Sequence, residues 1–270
     1  MLGTGVPVLW VKHDMSLDGP IAWTAARLAT RVVGVSRAVL ETFGSVHADK
    51  LQVIYNGVPD PAVDRVAARR TMTALHGGSC AAPVVLLVGR LDPAKGQLDV
   101  IETAPTLRVR HPELRVVFCG GEDAHHPQYA RQLRDRAHEL GLEDVVLFLG
   151  HRDDAVTLIA GSDVVAVPRR PGVNGWREGF GLVGVEGFWV GTPVVAYADG
   201  ALPEILGDCA RLVPPGDGNA LAEAMLMVLG ERELRERMIA CGRDHAHERY
   251  TVDRMIDALR ETYRELAAAR

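Results

Sequence analysis

Short apolar runs alternate with longer segments of helical period along most of the chain from residue 83 onward. The first run, Val84-Val85-Leu86-Leu87-Val88, is rich in branched residues and ends at Gly89. Continuous apolar runs of this length are typical of strands that are buried on both faces of a parallel sheet. The pattern therefore predicts strands at 84–88, 114–119, 145–149, 163–167, 194–198 and 211–213.

The segments between these strands predict the helices that cover the sheet. Glycine marks several of their ends, and Gly141, for example, can cap the C-terminus of one helix. The predicted helices cover residues 97–110, 128–140, 153–160, 181–190, 203–206, 219–229, 231–249 and 252–268. Strands joined by helices of this length imply right-handed crossovers. We therefore expect a doubly wound α/β domain, with a parallel sheet and helices on both faces.

The N-terminal residues predict part of a second α/β domain. Strand-like runs occur there at 6–11, 31–35 and 51–54. Three strands are too few for a sheet with both faces covered. Proline and glycine then indicate a linker. We expect a partial N-terminal domain at 1–60, a linker at 61–82, a C-terminal domain at 83–250, and a last helix at 251–270 that packs back on the N-terminal part.

Composition and charge exclude several classes of protein. The 270 residues are 47% apolar and 24% charged, which is ordinary for a soluble globular protein. A net charge of −5 gives no reason to expect nucleic acid or an anionic membrane as a partner. Residues 1–11 lack the basic start of a signal peptide. The longest apolar stretch, 179–198, contains Glu186 and several glycines, so it does not predict a membrane span.

The cysteines bear on location and on metal binding. Their spacing shows no metal-ligand pattern, and the four residues are Cys80, Cys119, Cys209 and Cys241. Sparse, unpaired cysteines suit a reducing compartment. We therefore expect four free thiols and a cytoplasmic protein.

Ligands of open parallel sheets bind beyond the carboxyl ends of the strands, so the loops there are the candidate sites. The loop at 89–96 carries Arg90 and Lys95 directly before a predicted helix. A guanidinium, an ammonium and the main-chain N–H groups of a helix start all attract phosphate. A turn whose charges are merely solvated is an equal alternative from this loop alone.

Two other loops carry weaker signals. Gly120 and Gly121 follow a predicted strand and allow close approach of a ligand, but they form a tight turn as often. His151 and Arg152 follow the next strand, where main-chain groups can recognise the edge of a base. The favoured interpretation of that loop is an aspartate that caps the following helix.

The strongest signal is a pair of carboxylates around a glycine-rich helix start. Glu178 precedes Gly179-Phe180-Gly181-Leu182, and Glu186 lies eight positions after Glu178. Main-chain N–H groups at such a helix start can hold a diphosphate, and the carboxylates can accept hydrogen bonds from vicinal hydroxyls. Glu186 lies in an otherwise apolar helix and needs a buried partner, which favours a ligand site over a helix-surface residue.

At these residues the sequence resembles the family-4 retaining glycosyltransferases of the GT-B fold. The segment from Glu178 to Glu186, with Gly191-Thr192-Pro193 after it, is similar to the Glu-x7-Glu motif of that family. The loop at 89–96 is similar to its Gly-Arg…Lys-Gly loop, and 35–36 with 56–58 is similar to the end of its N-terminal domain. The resemblance covers nearly the whole chain and implies a Rossmann-like, nucleotide-sugar-binding C-terminal domain.

The resemblance also implies roles for individual residues. Arg90 and Lys95 would bind the donor diphosphate, Glu178 the hydroxyls of the donor sugar, and Glu186 the ribose. His13 is similar to a histidine at the edge of the reaction centre. The implied donor-binding set is completed by Gly120, His151, Arg152, Gly179, Phe180, Gly181 and Leu182.

The reaction implied by this resemblance needs no metal and no other cofactor. A sugar moves with retention from a nucleotide diphosphate, UDP- or GDP-linked, to a hydroxyl acceptor. The spacer at 169–177 is longer than usual and is expected to reshape the sugar pocket. The family has a complete N-terminal domain, so we expect a fragment, or a chain whose N-terminal domain another chain completes. A non-catalytic nucleotide-sugar-binding subunit is therefore the alternative, and an epimerase fits the paired motifs less well.

Overall fold

The computed structural model describes residues 6–15, 19–45, 47–171 and 177–268. Some residues of the predicted segments lie outside these ranges: 1–5, 16–18 and 46 of the expected partial domain, 172–176 of the long spacer, and 269–270 of the C-terminal segment. The described chain forms two parallel sheets, one of three strands and one of six. Both sheets are flanked by helices, as expected for an α/β protein.

The larger sheet contains all six predicted strands. Its strands are β4 (Val84–Val88), β5 (Arg115–Cys119), β6 (Val146–Phe148), β7 (Val164–Val167), β8 (Val194–Tyr197) and β9 (Arg211–Val213). Their order is β6-β5-β4-β7-β8-β9, and every pair is parallel. The chain thus winds one way from β4 to β6 and the other way from β7 to β9, which confirms the doubly wound fold. The crevice between the carboxyl ends of β4 and β7 is the switch point at which such sheets bind ligands.

Both faces of this sheet are covered, as its continuous apolar strands predict. In β4, Val84 and Leu86 belong to one hydrophobic core, and Val85 and Leu87 belong to the other. All four residues are at most 2% exposed. The helices after β4 are α4 (Gln97–Arg110), α5 (Tyr129–Glu139), α6 (Ala155–Gly161), α7 (Leu182–Val190), α8 (Leu202–Leu206), α9 (Gly218–Gly230), α10 (Arg232–Arg249) and α11 (Val252–Ala268).

The smaller sheet lies in the N-terminal part of the chain. It has the order β1-β2-β3, and its parallel strands are β1 (Leu9–Lys12), β2 (Arg31–Gly34) and β3 (Leu51–Val53). Helices α1 (Pro20–Leu28) and α2 (Arg37–Leu40) were not predicted. The core of this part is small and consists of Ala22, Ala26, Ala29, Val32, Leu40 and Phe43.

The segment expected to be a linker contains a regular helix. Asp64 caps the start of helix α3 (Arg65–His76), where its carboxylate accepts hydrogen bonds from the N–H groups of Val66 and Ala67. Its Ala68 carbonyl packs so closely on Gly161 of α6 that a β-carbon there would lie 2.5 Å away. The segment expected to be a linker at 61–82 thus includes a helix of twelve residues. The division into domains itself stays a prediction.

The N-terminal part contacts the larger domain and the last helix. The Glu204 carboxylate in α8 accepts hydrogen bonds from the N–H groups of Arg37 and Ala38 and from the Tyr55 hydroxyl, at 2.9, 3.1 and 2.9 Å. Helix α11 contributes Glu265, which pairs with Arg31 at 3.1 Å. The segment that carries the N-terminal sheet is therefore held from two sides.

Two of the expected free thiols are bonded to each other. Cys209, at the end of the short helical segment Gly207–Cys209, forms a disulfide with Cys241 of α10. Cys80 is a free exposed thiol and Cys119 a free buried one. The expectation of four free thiols was wrong because residues 32 positions apart meet only once α10 has packed beside α8. Within the described ranges, no helix has both the length and the apolar character of a membrane span.

Candidate functional site

A cavity of about 440 Å³ opens at the switch point of the larger sheet. Its walls come from the loop after β4, the loop after β7 and the start of α7, and the N-terminal part adds His13 and Asn56. It brings together seven of the predicted site residues, namely His13, Arg90, Lys95, Glu178, Phe180, Gly181 and Leu182. Residues far apart in sequence thus meet where the fold favours ligand binding.

The glycine-rich loop before α7 is fixed by close main-chain packing. The N–H of Ala201 donates a 2.8 Å hydrogen bond to the Glu178 carbonyl. A β-carbon at Gly179 would lie 2.5 Å from the His13 carbonyl oxygen, so only glycine allows this approach. Gly181 precedes α7 with φ 87°, a left-handed conformation that favours glycine. The loop therefore presents the Glu178 side chain from a fixed main chain.

Two cations of the cavity are already engaged with carboxylates. The Lys95 Nζ donates to Glu178 Oε2 at 3.3 Å, and Arg90 pairs with the buried Asp123 at 2.8 Å. A hydrogen bond from the His125 N–H lowers the pKa of Asp123, and Arg90 lowers it further, while burial opposes both. Arg90 nevertheless stays 62% exposed, so its guanidinium remains accessible to an anion. The cavity thus has a cationic side that can receive phosphate.

Glu186 has an unusual environment in the first turns of α7. It is half-buried, and this burial raises its pKa. No described residue forms a hydrogen bond or ion pair with its side chain, so the buried partner that the sequence calls for is not supplied by the described protein. Glu186 does not line the cavity directly, but it follows Val183 by one helical turn, and Val183 does line it. A half-buried carboxylate that lacks a protein partner is available to a ligand.

Besides Gly179 and Glu186, three predicted donor-binding residues lie outside the cavity wall, namely Gly120, His151 and Arg152. A β-carbon at Gly120 would lie 1.9 Å from the Gly89 carbonyl oxygen, so packing between neighbouring loops requires this glycine. The exposed His151 lies 3.4 Å from Asp153. Arg152 binds Asp154 through two hydrogen bonds, of 2.7 and 2.8 Å.

The loop after β6 also corrects a prediction about its aspartates. Asp154 is at the N-cap position of α6, but its side chain makes no capping hydrogen bond. Its carboxylate is bound to Arg152 instead, and this bond lowers its pKa. The expected helix cap is therefore replaced by an ion pair.

Sequence reasoning missed Arg169 as a site residue. It was treated as the start of the long spacer, whereas its side chain is only 11% exposed and lines the cavity beside Glu178. The available signal was a basic residue two positions beyond the carboxyl end of a buried strand, directly after Pro168. Asn56 and the buried Asp123 were also missed.

A second cavity, of about 790 Å³, lies beside the first. The two cavities share Arg90, Lys95 and Arg169. The second is lined further by Asp99, His125, His126 and Tyr129, and it reaches the start of α4 and α5. It has no glycine-rich helix start comparable to that of α7, so the smaller cavity is the better candidate site.

Known proteins resemble this chain over nearly its full length. A D-inositol 3-phosphate glycosyltransferase of Saccharomonospora viridis is 33% identical over 98% of the chain, which spans 66% of that protein. The enzyme of the same name from Corynebacterium urealyticum is 34% identical over 76% of the chain, corresponding to 48% of its own length. The chain thus spans between about half and two thirds of these two relatives.

Solved structures agree with the fold. The crystal structure of Anabaena HepE in complex with UDP and glucose superimposes with a TM-score of 0.82 at 26% identity. The match covers 96% of this chain and 72% of the Anabaena chain. Residues 80–245 match the family described as glycosyl transferases group 1. This chain therefore belongs to the glycosyl transferases group 1 family.

Proposed function

We propose that this chain binds a nucleotide-diphosphate sugar, UDP- or GDP-linked, and transfers the sugar with retention to a hydroxyl acceptor. The observation that carries the proposal is the convergence of Arg90, Lys95 and Glu178 on one cavity at the sheet's switch point. A diphosphate beside Arg90 and Lys95 places the sugar next to Glu178, whose carboxylate can accept hydrogen bonds from sugar hydroxyls.

The chemistry of this transfer follows from the charges. As the bond between the anomeric carbon and the diphosphate breaks, negative charge builds up on the leaving phosphate oxygen. Fixed cations and the main-chain N–H groups at the start of α7 stabilise that charge most where it develops. The acceptor oxygen bonds to the anomeric carbon on the same face, and its proton leaves with the diphosphate. His13, exposed at the rim of the cavity, is proposed to contact the sugar there.

The remaining donor contacts fit the same arrangement. Glu186 is proposed to accept hydrogen bonds from the ribose, because it is half-buried and has no protein partner in the described chain. The main chain of Gly179 and Gly120 and the loop at His151 and Arg152 are proposed to lie along the nucleotide. We propose that no metal and no other cofactor takes part. A metal chelator should therefore leave turnover unchanged.

A thermal-shift panel tests the donor site. UDP, GDP and their glucose and mannose conjugates at millimolar concentration are predicted to raise the melting temperature if the site is real. Lys95→Ala and Arg90→Ala should reduce that rise, whereas Arg131→Ala, at an 85% exposed side chain of α5, should leave it intact. No shift with any of these ligands would refute the proposed donor site.

The acceptor is proposed from the relatives. D-inositol 3-phosphate is the first acceptor to test, because two curated relatives are named for it. Retention is tested by the anomeric configuration of the product in NMR spectra, which should equal that of the donor. A product of inverted configuration would contradict the proposed stereochemistry without affecting donor binding.

A partner subunit that binds donor without turnover is the second candidate function. It is favoured by exposed apolar side chains concentrated in the N-terminal part, namely Val6, Val8, Ile21, Trp23 and Leu28. In the described part of the chain, β1 pairs only with β2, so its other edge can accept a strand. We propose that another polypeptide segment covers this surface. Donor binding by this chain alone, with turnover only after addition of the part of the Saccharomonospora relative that this chain does not match, would support this function.

The cytoplasmic location stays a prediction. Fractionation of cells that express the chain tests it, and recovery with the soluble cytoplasmic fraction is the expected result.

A further inference from the structure

Two cations approach the same oxygen of Glu178. Lys95 Nζ lies 3.3 Å from Glu178 Oε2, and Arg169 Nε lies 3.9 Å from it. The Arg169 side chain is the most buried of the three, at 11% exposure, against 21% for Glu178 and 32% for Lys95. Its Nε is buried and makes no hydrogen bond to any described residue. The Arg169 guanidinium therefore has an unpaired N–H group beside the Glu178 carboxylate, which is hydrogen-bonded to Lys95.

Arg169 is held in this place by its neighbours. The N–H of Arg170 donates to the Ala94 carbonyl at 2.9 Å, and the Arg170 guanidinium forms two hydrogen bonds with Asp99 of α4, at 2.5 and 2.6 Å. A β-carbon at Gly96 would lie 2.1 Å from the Pro168 carbonyl oxygen, so the loops after β4 and β7 are in close contact. Arg169 and Lys95 are thus fixed on adjoining loops, and both reach the same carboxylate.

Donor binding creates a conflict at this carboxylate. A diphosphate brings negative charge into a cavity that already contains Glu178, and Lys95 is the cation that both anions need. If Lys95 turned to the phosphate with no replacement, a partly buried carboxylate would lose its hydrogen-bond partner, which is unfavourable. Arg169 lies where it can supply the replacement, because a guanidinium presents several N–H groups to a carboxylate.

We propose that Arg169 is a positioning residue that replaces Lys95 as the ion-pair partner of Glu178 when Lys95 turns to the donor diphosphate. The inference rests on the proposed function, because it assumes that a nucleotide diphosphate binds in this cavity. Arg169 itself makes no contact with the diphosphate in this account. It acts by releasing Lys95 and by keeping the Glu178 carboxylate paired and oriented toward the sugar.

A double-variant experiment separates this role from direct phosphate binding. The affinity of UDP and GDP is measured by calorimetry for the wild type, Arg169→Gln, Glu178→Gln and the variant with both changes. In Arg169→Gln, Lys95 stays bound to Glu178, so affinity should fall about tenfold, the loss expected for one charge-assisted hydrogen bond. In the double variant Glu178 is uncharged and Lys95 is free, so affinity should return to within about threefold of the wild type.

Further measurements complete the test. Arg169→Lys, which retains a cation, should recover part of the lost affinity, and Arg131→Gln serves as the matched control on an exposed arginine. Melting temperatures of all variants show whether each is folded. The Glu178→Gln variant should bind diphosphate as well as the wild type while it loses turnover of the sugar donor.

Three results would overturn the proposal, and they are distinguishable. If the double variant binds as weakly as Arg169→Gln, Arg169 contacts the phosphate itself or acts only through the fold. If Arg169→Gln binds UDP and GDP with the affinity of the wild type, Lys95 can turn to the diphosphate without Arg169. If the folded wild type binds neither UDP nor GDP, the proposed function fails, and this inference fails with it.

Discussion

The hydroxyl of Ser36 donates a 2.7 Å hydrogen bond to the carbonyl oxygen of Gly179, across 143 residues of sequence. Ser36 is completely buried, and its oxygen also accepts a hydrogen bond from the N–H of Val39 at the start of α2. Gly179 directly follows Glu178 and packs on the His13 carbonyl. The Ser36 hydroxyl thus joins the N-terminal part of the chain to the loop that presents the Glu178 carboxylate.

Replacing Ser36 with alanine should lower both stability and activity. The Gly179 carbonyl would lose its buried donor, which costs about 1–3 kcal/mol of unfolding free energy. Urea denaturation measures this loss, and the KM for the donor should rise because the Glu178 loop is less well held. Ser45→Ala, at an exposed serine of the same part, should change stability by less than about 0.5 kcal/mol. Equal changes in stability and KM in the two variants would show that the hydrogen bond from Ser36 to Gly179 contributes to neither.

A pair of glycines with similar main-chain conformations separates backbone strain from crowding. Gly141 has φ 63° with no atom within 4 Å of an added β-carbon, and Gly200 has φ 57° with the Glu178 carbonyl oxygen 2.4 Å away. Alanine at Gly141 should cost about 1–2 kcal/mol, the price of the left-handed conformation alone. Alanine at Gly200 should cost about 1–3 kcal/mol more, because it pushes on the main chain of Glu178.

The Gly200 variant should also lose turnover, whereas the Gly141 variant should retain it. Chemical denaturation together with initial rates at saturating donor measures both effects. Full activity in a folded Gly200→Ala protein would contradict the role of this contact in positioning Glu178.

The half-buried carboxylate of Glu186 should make stability depend on pH. Burial raises its pKa, so between the ordinary pKa of a glutamate and the raised value the folded protein binds more protons than the unfolded chain. The free energy of unfolding therefore falls as the pH rises through that window and stays lower above it. Glu186→Gln removes this effect, so its stability relative to the wild type should increase as the pH rises.

Thermal melts between about pH 4 and pH 8 test this sign, since the window begins at the ordinary pKa of a glutamate. Glu223→Gln, on the exposed face of α9, is the control. The same Glu186→Gln variant should bind nucleotide more weakly at neutral pH. A variant that gained no stability with rising pH, or bound nucleotide normally, would oppose the ligand role of this residue.

Reduction of the disulfide should weaken the packing of α10 on α8. The Cys209–Cys241 bond closes a segment with a sequence separation of 32 residues, for which a loss of about 2–4 kcal/mol is expected on reduction. Denaturation with and without dithiothreitol measures it, and Cys241→Ser should reproduce the reduced state. Cys80→Ser, at an exposed free thiol, should have no effect. Unchanged stability after complete reduction would contradict a stabilising disulfide.

The regular parts of the fold could be predicted because the sequence signals are local. Strand β4 is a continuous apolar run, and α4 was predicted with its observed bounds. Helix α3 was missed because only Ala68 and Met72 of its residues are buried, while the prolines and glycines around it indicate a linker. A helix that buries only two residues shows little of the apolar periodicity from which helices are predicted.

The candidate site could be predicted only in part. Lys95 and Glu178 carry signals in their own loops, whereas the approach of Arg169 to Glu178 depends on how the loops after β4 and β7 pack. The pairing of Arg90 with Asp123 likewise depends on the loop after β5. Such contacts are set by tertiary structure, so no local pattern reveals them.

A crystal structure of this chain with bound UDP tests the central claim most directly. The account predicts that the diphosphate lies in the 440 Å³ cavity, within hydrogen-bond distance of Lys95 and of main-chain N–H groups at the start of α7, with the ribose at Glu186. UDP bound instead in the 790 Å³ cavity beside Tyr129, or a ribose remote from Glu186, would contradict it.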